Sequence, residues 1–170
     1  MDAETLRATQ APLKQAYRDN PALALVPARA EALIDQERIS CQLTGPRHSI
    51  SGLHPAAGGP EGLACSADLL LESLVACAGV TLAAVATAMG ITLRQGRVVA
   101  ESSWDARGTL GIDRAVPVGL GPINLTFELD TDADAPALAR LLKSTERYCV
   151  IFQTLAAPPT CTLQLAGSPG

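Results

Sequence analysis

Aromatic side chains are scarce in this sequence. Only 3% of the 170 residues are aromatic, with one Trp, two Tyr and two Phe. The core must therefore be built from alanine and branched aliphatic residues. A chain of 170 residues usually forms one domain and is long enough to bury such a core. An excess of basic residues is also missing. The net charge of −4 argues against nucleic acid or an anionic membrane surface as a partner.

Closely spaced or paired cysteines are absent too. The five cysteines are an odd number at wide spacings, without a CxxC pair. Disulfide scaffolds and zinc sites need closer or paired thiols, and His48 and His54 complete no familiar ligand pattern. We therefore expect no metal site and reduced thiols. No basic segment followed by an apolar run is visible at the N-terminus, so a cytoplasmic location is expected.

One long apolar stretch dominates what is present. Residues 69–89 contain no proline, and no charged residue occurs from Ser73 to Ile91. A helix that is apolar on every side is buried in a domain core, between two subunits or in a bilayer. Alanine dilutes this stretch, and neither basic clusters nor Trp or Tyr flank it, which disfavours the bilayer. We predict the central helix of a soluble domain, with Ser66 as N-cap and its own copy as one packing partner.

Shorter elements surround this helix. Residues 4–19 predict an amphipathic surface helix, which we interpret as an appendage of residues 1–27 beside a single domain of residues 28–170. Strands are predicted where apolar and polar residues alternate between turn signals, at 28–34, 38–43, 48–52, 91–106 and 123–130.

The C-terminal part predicts further elements. A glycine-rich connection over residues 107–122 is long enough to be a mobile loop. A second helix is expected from Asp134 to Tyr148, followed by a short apolar segment, and residues 160–166 predict a final strand. Segregated strands and helices of this kind indicate an α+β fold.

Cys77 and Cys149 are the candidate reactive thiols, although a free cysteine usually packs as a small hydrophobic residue. At 100° per residue, Ser73, Cys77 and Thr81 share one face of the central helix. Cys149 closes the buried stripe of the second helix. Two inward thiols on packed helices could be an attacking thiol and its resolving partner. The remaining three cysteines are expected to be structural: Cys41, Cys65 and Cys161.

Four segments carry a resemblance to a known family. They are the start of the central helix up to its cysteine (66–77), WDARGTLG (104–111), the strand at 122–130, and RYC with a following TL (147–155). In order and spacing they resemble the OsmC/Ohr family of thiol hydroperoxide reductases, over roughly residues 28–166. The resemblance implies an OsmC-like fold with antiparallel sheets around a long buried central helix. It also implies an intertwined homodimer with sites shared between the subunits.

The resemblance further implies a role for each thiol. Cys77 would be the peroxidatic thiolate, which an organic hydroperoxide oxidises to a sulfenic acid, and Cys149 would resolve it to a disulfide. An external dithiol of the dihydrolipoyl type would reduce that disulfide, and no bound cofactor is implied. A thiol with an unperturbed pKa of about 8.5 needs a nearby cation or helix dipole to ionise.

The charges that support the thiolate match the family less closely. The family pairs its thiolate with an arginine from the early strands, for which Arg38 and Arg47 are the candidates here. It also uses a glutamate ahead of the central helix, and Asp68 is the best match. Nine helical residues place Asp68 opposite its own Cys77 and about 13.5 Å along the axis, so it would serve only the partner's thiol. Alternatively, it is simply a first-turn dipole charge.

Three functional interpretations stay open at this stage. The first is the hydroperoxide reductase. The second is a dimeric binding protein for an apolar ligand, favoured by the missing glutamate and by Val150, where the family usually has proline after its second cysteine. The third is a single-span membrane protein.

Overall fold

A long helix packs against an antiparallel sheet in this computed structural model, which describes residues 3–37, 40–43, 52–62 and 64–164. The elements are α1 (Ala3–Asp19), β1 (Leu25–Asp35), β2 (Ser40–Leu43), α2 (Ser66–Ala88), β3 (Gln95–Asp105), α3 (Ala106–Thr109), β4 (Asn124–Asp130), α4 (Ala135–Tyr148) and α5 (Val150–Ala156). The strands pair antiparallel in the order β2-β1-β3-β4. The predicted α+β class is therefore confirmed.

The two faces of the sheet differ because side chains alternate along each strand. The face towards α2 carries buried apolar residues, such as Val26 on β1, which pairs with Trp104 on β3. The opposite face carries ion pairs: Arg97 Nε lies 2.6 Å from Glu31 Oε1, and Arg97 also pairs with Glu128 at 3.0 Å. Most of the buried apolar residues of the sheet lie on the face towards α2, which places the core between the sheet and the helices.

The central helix α2 begins one residue earlier than predicted and ends at Ala88, with Met89 as its C-cap. Cys65, not Ser66, is the N-cap, because the backbone is extended at Cys65 and already helical at Ser66. No side-chain hydrogen bond caps this end. At the other end Gly90 has a φ of 69°, a left-handed conformation that suits glycine.

The described residues cover only one side of α2. Its buried residues, which face the sheet and α4, are Leu71, Leu74, Val75, Ala78, Gly79, Leu82, Ala83 and Ala86. The opposite side is exposed, and Leu70 (40%) and Val80 (37%) are its large apolar residues. The expectation of burial on every side is thus not met by one chain alone. By length and composition α2 is the one described helix that could cross a membrane, but core helices pass the same test.

The N-terminal helix α1 is anchored to the core by Tyr17, which is only 5% exposed. The Tyr17 hydroxyl donates a hydrogen bond to the Ala56 carbonyl oxygen at 2.7 Å, and Leu13 packs beside it. The predicted boundary between residues 27 and 28 falls inside β1.

The glycine-rich connection, expected to be a mobile loop, folds back onto the end of β3. Asp105 accepts a hydrogen bond from the Arg107 backbone N–H at 2.9 Å and pairs with the Arg107 guanidinium at 2.6 Å. The Gly121 N–H donates to the Ser103 carbonyl at 2.8 Å. The Asp-x-Arg-Gly motif therefore holds a one-turn helix and the turn after it.

Two of the predicted strands, the final one and the third early one, are not found among the described residues. The final strand was predicted at 160–166, but residues 160–164 form no strand and Leu163 is fully exposed. This prediction was wrong for the described residues because they pair with none of the described strands, and a strand requires such pairing. The third early strand, at 48–52, lies outside the described residues except for Gly52, which is not in a strand.

The turn after β3 gives a test of this packing. A Cβ at Gly108 would lie 2.7 Å from the Pro117 carbonyl oxygen and 2.9 Å from that of Val116. We expect Gly108→Ala to lower the free energy of unfolding by about 1–3 kcal/mol, as overpacking does. Gly119→Ala is the matched control, because nothing lies within 4 Å of its added Cβ. Equal urea midpoints for the two variants would contradict the packing described here.

Candidate active site

The sulfur of Cys77 lies where the middle of α2 meets the first turn of α5. Burial raises the pKa of Cys77, but hydrogen bonds to the sulfur outweigh it and leave the pKa below its ordinary value. The largest of these comes from the Ile151 backbone N–H, followed by the Cys149 thiol, the Val150 backbone N–H and the Thr81 hydroxyl. Thr81 is on the predicted polar face of α2. Among the described residues, the groups that lower the pKa of Cys77 are thus hydrogen-bond donors.

Cys149 lies at the junction of α4 and α5 and belongs to both. Its backbone is extended, with a ψ of 108°, and its N–H still donates to the Thr145 carbonyl at 2.9 Å. Its sulfur caps α5 by accepting a hydrogen bond from the Phe152 N–H at 3.5 Å. The side chain is buried at 1% exposure, as its place at the end of the helical stripe predicted. Burial raises the pKa of Cys149 to about 11.

The structure therefore brings the two predicted thiols together and gives them opposite properties. The Cys149 thiol stays protonated and donates to Cys77, whereas the first turn of α5 favours the Cys77 thiolate. A thiolate is the nucleophilic form of cysteine. Cys77 is thus suited to attack an electrophile, and Cys149 lies within reach of the product.

Two hollows lie beside these thiols. We call the first, of about 460 Å³, the apolar cavity; its lining is Leu70, Leu74, Leu120, Gly121, Ile123, Leu125, Phe152, Leu155 and Ala156. We call the second, of about 360 Å³, the Cys149 cleft; its lining is Ala78, Leu125, Thr126, Phe127, Leu142, Thr145, Glu146, Cys149 and Phe152. Both volumes are in the range of small-molecule sites.

Of the three charged residues proposed to support the thiolate, the structure describes one. Arg38 and Arg47 lie outside the described part of the chain. Asp68 lies in the first turn of α2, on the same uninterrupted helix as Cys77. Helical geometry separates the two by about 13.5 Å along the axis, so Asp68 does not serve its own thiol.

Some features of the site were not foreseen from the sequence. The donors of Val150, Ile151 and Phe152 are backbone groups, which side-chain motifs do not reveal. The one available signal was the end of the helical pattern at Cys149, which indicated a new helix start there. Among the described residues, no group of three or more His, Cys, Asp or Glu side chains is placed to hold a metal ion.

The family model described as "OsmC-like protein" matches residues 59–164. The chain belongs to the OsmC-like family. The stated resemblance is thereby confirmed, and the matched part contains α2, Cys77, α4 and Cys149. No curated protein matches the chain.

A solved structure supports the fold of this OsmC-like chain. It is the crystal structure of an OsmC-like hydroperoxide resistance protein from Jannaschia sp. CCS1. It aligns with a TM-score of 0.59 and 17% sequence identity, over 86% of this chain and 97% of the other. At this identity the likeness establishes the fold.

Val150 gives a direct test of the first turn of α5. Proline is favoured at the first position of a helix, and the extended backbone of Cys149 tolerates it, so Val150→Pro removes mainly one N–H. A hydrogen bond to a charged group contributes about 1.5–3 kcal/mol, so we expect the pKa of Cys77 to rise by roughly one unit.

The measurement is the rate of Cys77 alkylation by iodoacetamide against pH, with peptide mapping to identify the modified thiol. Val150→Ala keeps the N–H and should leave the profile unchanged. Identical profiles for the proline and alanine variants would show that this N–H does not stabilise the thiolate.

Proposed function

We propose that this protein is a thiol-dependent organic hydroperoxide reductase that acts in oxidative-stress defence, in a cytoplasm that keeps its thiols reduced. The observation that supports it best is the pairing of two thiols of opposite character at the first turn of α5. Family membership supports it further, as does the name of the solved relative, a hydroperoxide resistance protein.

In the proposed first step, the Cys77 thiolate attacks one oxygen of the hydroperoxide. The O–O bond breaks, an S–O bond forms, and the alkoxide leaves and takes a proton to become an alcohol. Cys77 is then a sulfenic acid. Hydrogen bonds from the first turn of α5 favour this step, because they stabilise the thiolate form of Cys77, which is the nucleophile.

In the second step, the Cys149 sulfur attacks the Cys77 sulfenic acid. A disulfide forms and the hydroxyl leaves as water. The hydrogen bond between the two thiols places the resolving sulfur beside Cys77 before oxidation. A disulfide bond requires such proximity of the two side chains. An external dithiol, of the dihydrolipoyl type in this proposal, then restores both thiols, and no bound cofactor is needed.

The apolar cavity favours an organic hydroperoxide over hydrogen peroxide. The described residues that line it include no charged side chain, and most of them are aliphatic. An alkyl or aryl group would be desolvated there, and each buried CH₂ contributes about 0.8 kcal/mol. Hydrogen peroxide has no such group, so it gains nothing from this cavity.

Substitution of individual cysteines tests the reaction. Cys77→Ser should reduce turnover of cumene hydroperoxide to the level without protein, because serine cannot form the sulfenic acid. Cys149→Ser should consume one equivalent and stop, leaving Cys77 as a sulfenic acid or overoxidised. Cys161→Ser is the control, because Cys161 is exposed and takes no part. Normal turnover by Cys77→Ser would remove the proposal.

We also propose that the protein works as a homodimer. The exposed side of α2 carries Leu70 and Val80, and the exposed Ser73, Ala84 and Thr87 on the same helix are small enough for close approach of another helix. A second copy of α2 would cover this side. In such a dimer Asp68 would serve the partner's thiol, and Arg38 is the proposed activating arginine.

Charge on the exposed side of α2 tests this dimer. We expect Val80→Arg to produce monomers in sedimentation velocity, because two arginines would then be buried near each other in the interface. Val118→Arg is the control, since Val118 is 63% exposed and outside α2. A dimer that persists in Val80→Arg would place the interface elsewhere.

A second candidate function is the binding of an apolar ligand without chemistry. It is favoured by the apolar cavity, because Cys77 is not among the residues that line it. Turnover by the wild-type protein that is lost in Cys77→Ser would exclude a purely binding role.

A further inference from the structure

The Cys149 cleft has no role in the steps proposed so far. It lies between α2, α4, α5 and β4, and it shares Leu125 and Phe152 with the apolar cavity. Cys149 lines this cleft, whereas Cys77 lines neither hollow. The cleft therefore reaches Cys149 directly, whereas the apolar cavity adjoins the cleft at Leu125 and Phe152 and is lined by neither thiol.

The chemistry of a Cys77–Cys149 disulfide distinguishes its two sulfurs. A thiolate that attacks one sulfur expels the other, and the sulfur with the lower thiol pKa leaves faster. Hydrogen bonds from the first turn of α5 keep the pKa of Cys77 low, despite the opposing effect of burial, whereas burial raises the pKa of Cys149 to about 11. Expulsion of Cys77 is therefore the faster reaction, and it requires attack on Cys149.

We infer that the reducing dithiol enters the Cys149 cleft and attacks the Cys149 sulfur, while the hydroperoxide uses the apolar cavity. This inference rests on the proposed function, whose disulfide it reduces. The first thiolate of the reductant forms an S–S bond with Cys149, and the Cys77–Cys149 bond breaks with its electron pair on Cys77. The second thiol of the reductant then attacks the reductant sulfur that is bound to Cys149. This attack releases Cys149 as a thiolate, which takes a proton, and the reductant leaves as a cyclic disulfide.

The lining of the cleft indicates the class of reductant. Its walls are largely apolar, from Ala78, Leu125, Phe127, Leu142 and Phe152, and suit an unbranched aliphatic chain. The exposed Glu146 adds a negative charge to the lining, in a protein with a net charge of −4. Anionic thiols such as glutathione are repelled under these conditions. A neutral dithiol carried on an aliphatic chain fits both features.

The site of attack can be identified without any hydroperoxide. A variant with serine at Cys41, Cys65 and Cys161 is oxidised with diamide, which joins thiols directly. It is then treated briefly with mercaptoethanol and quenched with an excess of N-ethylmaleimide. We expect the mixed disulfide on Cys149 and maleimide on Cys77, resolved by peptide fragmentation. A mixed disulfide mainly on Cys77 overturns the inference, and so does a failure of diamide to join the two thiols.

The use of diamide separates this test from the proposed function. A protein that never turns over cumene hydroperoxide would contradict the proposed function, yet its diamide disulfide would still report which sulfur is attacked. Conversely, a protein that turns over cumene hydroperoxide normally, but whose disulfide is attacked by the reductant at Cys77, would overturn only the inference about the cleft.

The cleft itself is tested by filling it. Leu142 is 44% exposed and lines the cleft, so Leu142→Trp narrows it from the solvent side. We expect reduction of the preformed disulfide by dihydrolipoamide to slow tenfold or more. Leu23→Trp is the matched control, because Leu23 is 57% exposed and lies outside both hollows, and its rate should equal that of the wild type. Equal rates in Leu142→Trp and Leu23→Trp overturn the inference.

Glu146→Gln keeps the size of the side chain, so it tests the cleft even where Leu142→Trp fails to fold. Glu146→Gln should raise the rate of reduction by glutathione several-fold and leave the rate with dihydrolipoamide within twofold. An unchanged preference between the two reductants would contradict the assignment of Glu146 and of the cleft.

Discussion

The middle of α2 meets the first turn of α5, and this contact determines how both sulfur atoms behave. Burial between the helices disfavours a charged sulfur, and the free N–H groups at the start of α5 oppose that effect. Each hydrogen bond to a charged sulfur contributes about 1.5–3 kcal/mol, so a few of them suffice to reverse the effect of burial. The same contact keeps Cys149 protonated and directs its thiol at Cys77.

This arrangement requires the chain to break its helix at Cys149. An uninterrupted helix from Ala135 to Ala156 would direct every N–H of this region into its own hydrogen bonds. The extended backbone of Cys149 ends α4 and frees the first N–H groups of α5. Val150 contributes one of these groups, which a proline at that position would lack. Ala78 and Gly79, both buried on α2, leave room for close packing beside Cys77.

Much of the fold could be predicted from the sequence because its patterns are regular. The alternation in residues 91–106 and the spacing in residues 134–148 gave β3 and α4, with Asp134 as the N-cap of α4. The final strand failed because pairing depends on another element, which alternation in one segment does not supply. Ser66 was preferred as a cap by residue type, but the backbone turns into the helix one residue earlier.

The site was predictable in its side chains and not in its backbone. Cys77, Thr81 and Cys149 were located by helical spacing, and the structure brings all three together. The donors from Val150 and Ile151 carry no side-chain signature, so they were not predicted. The predicted arginine, Arg38 or Arg47, lies outside the described residues and stays a prediction. The division of the surroundings into two hollows depends on how Phe152 and Leu125 pack, which no local pattern encodes.

The pairing of Cys77 with Cys149 can be measured after a single oxidation. Fully reduced protein is mixed with one equivalent of cumene hydroperoxide, quenched with a thiol-blocking reagent and mapped by mass spectrometry. A single disulfide between Cys77 and Cys149, with the other cysteines blocked as free thiols, is the predicted result. Recovery of both Cys77 and Cys149 as free thiols, with the hydroperoxide unconsumed, would contradict it.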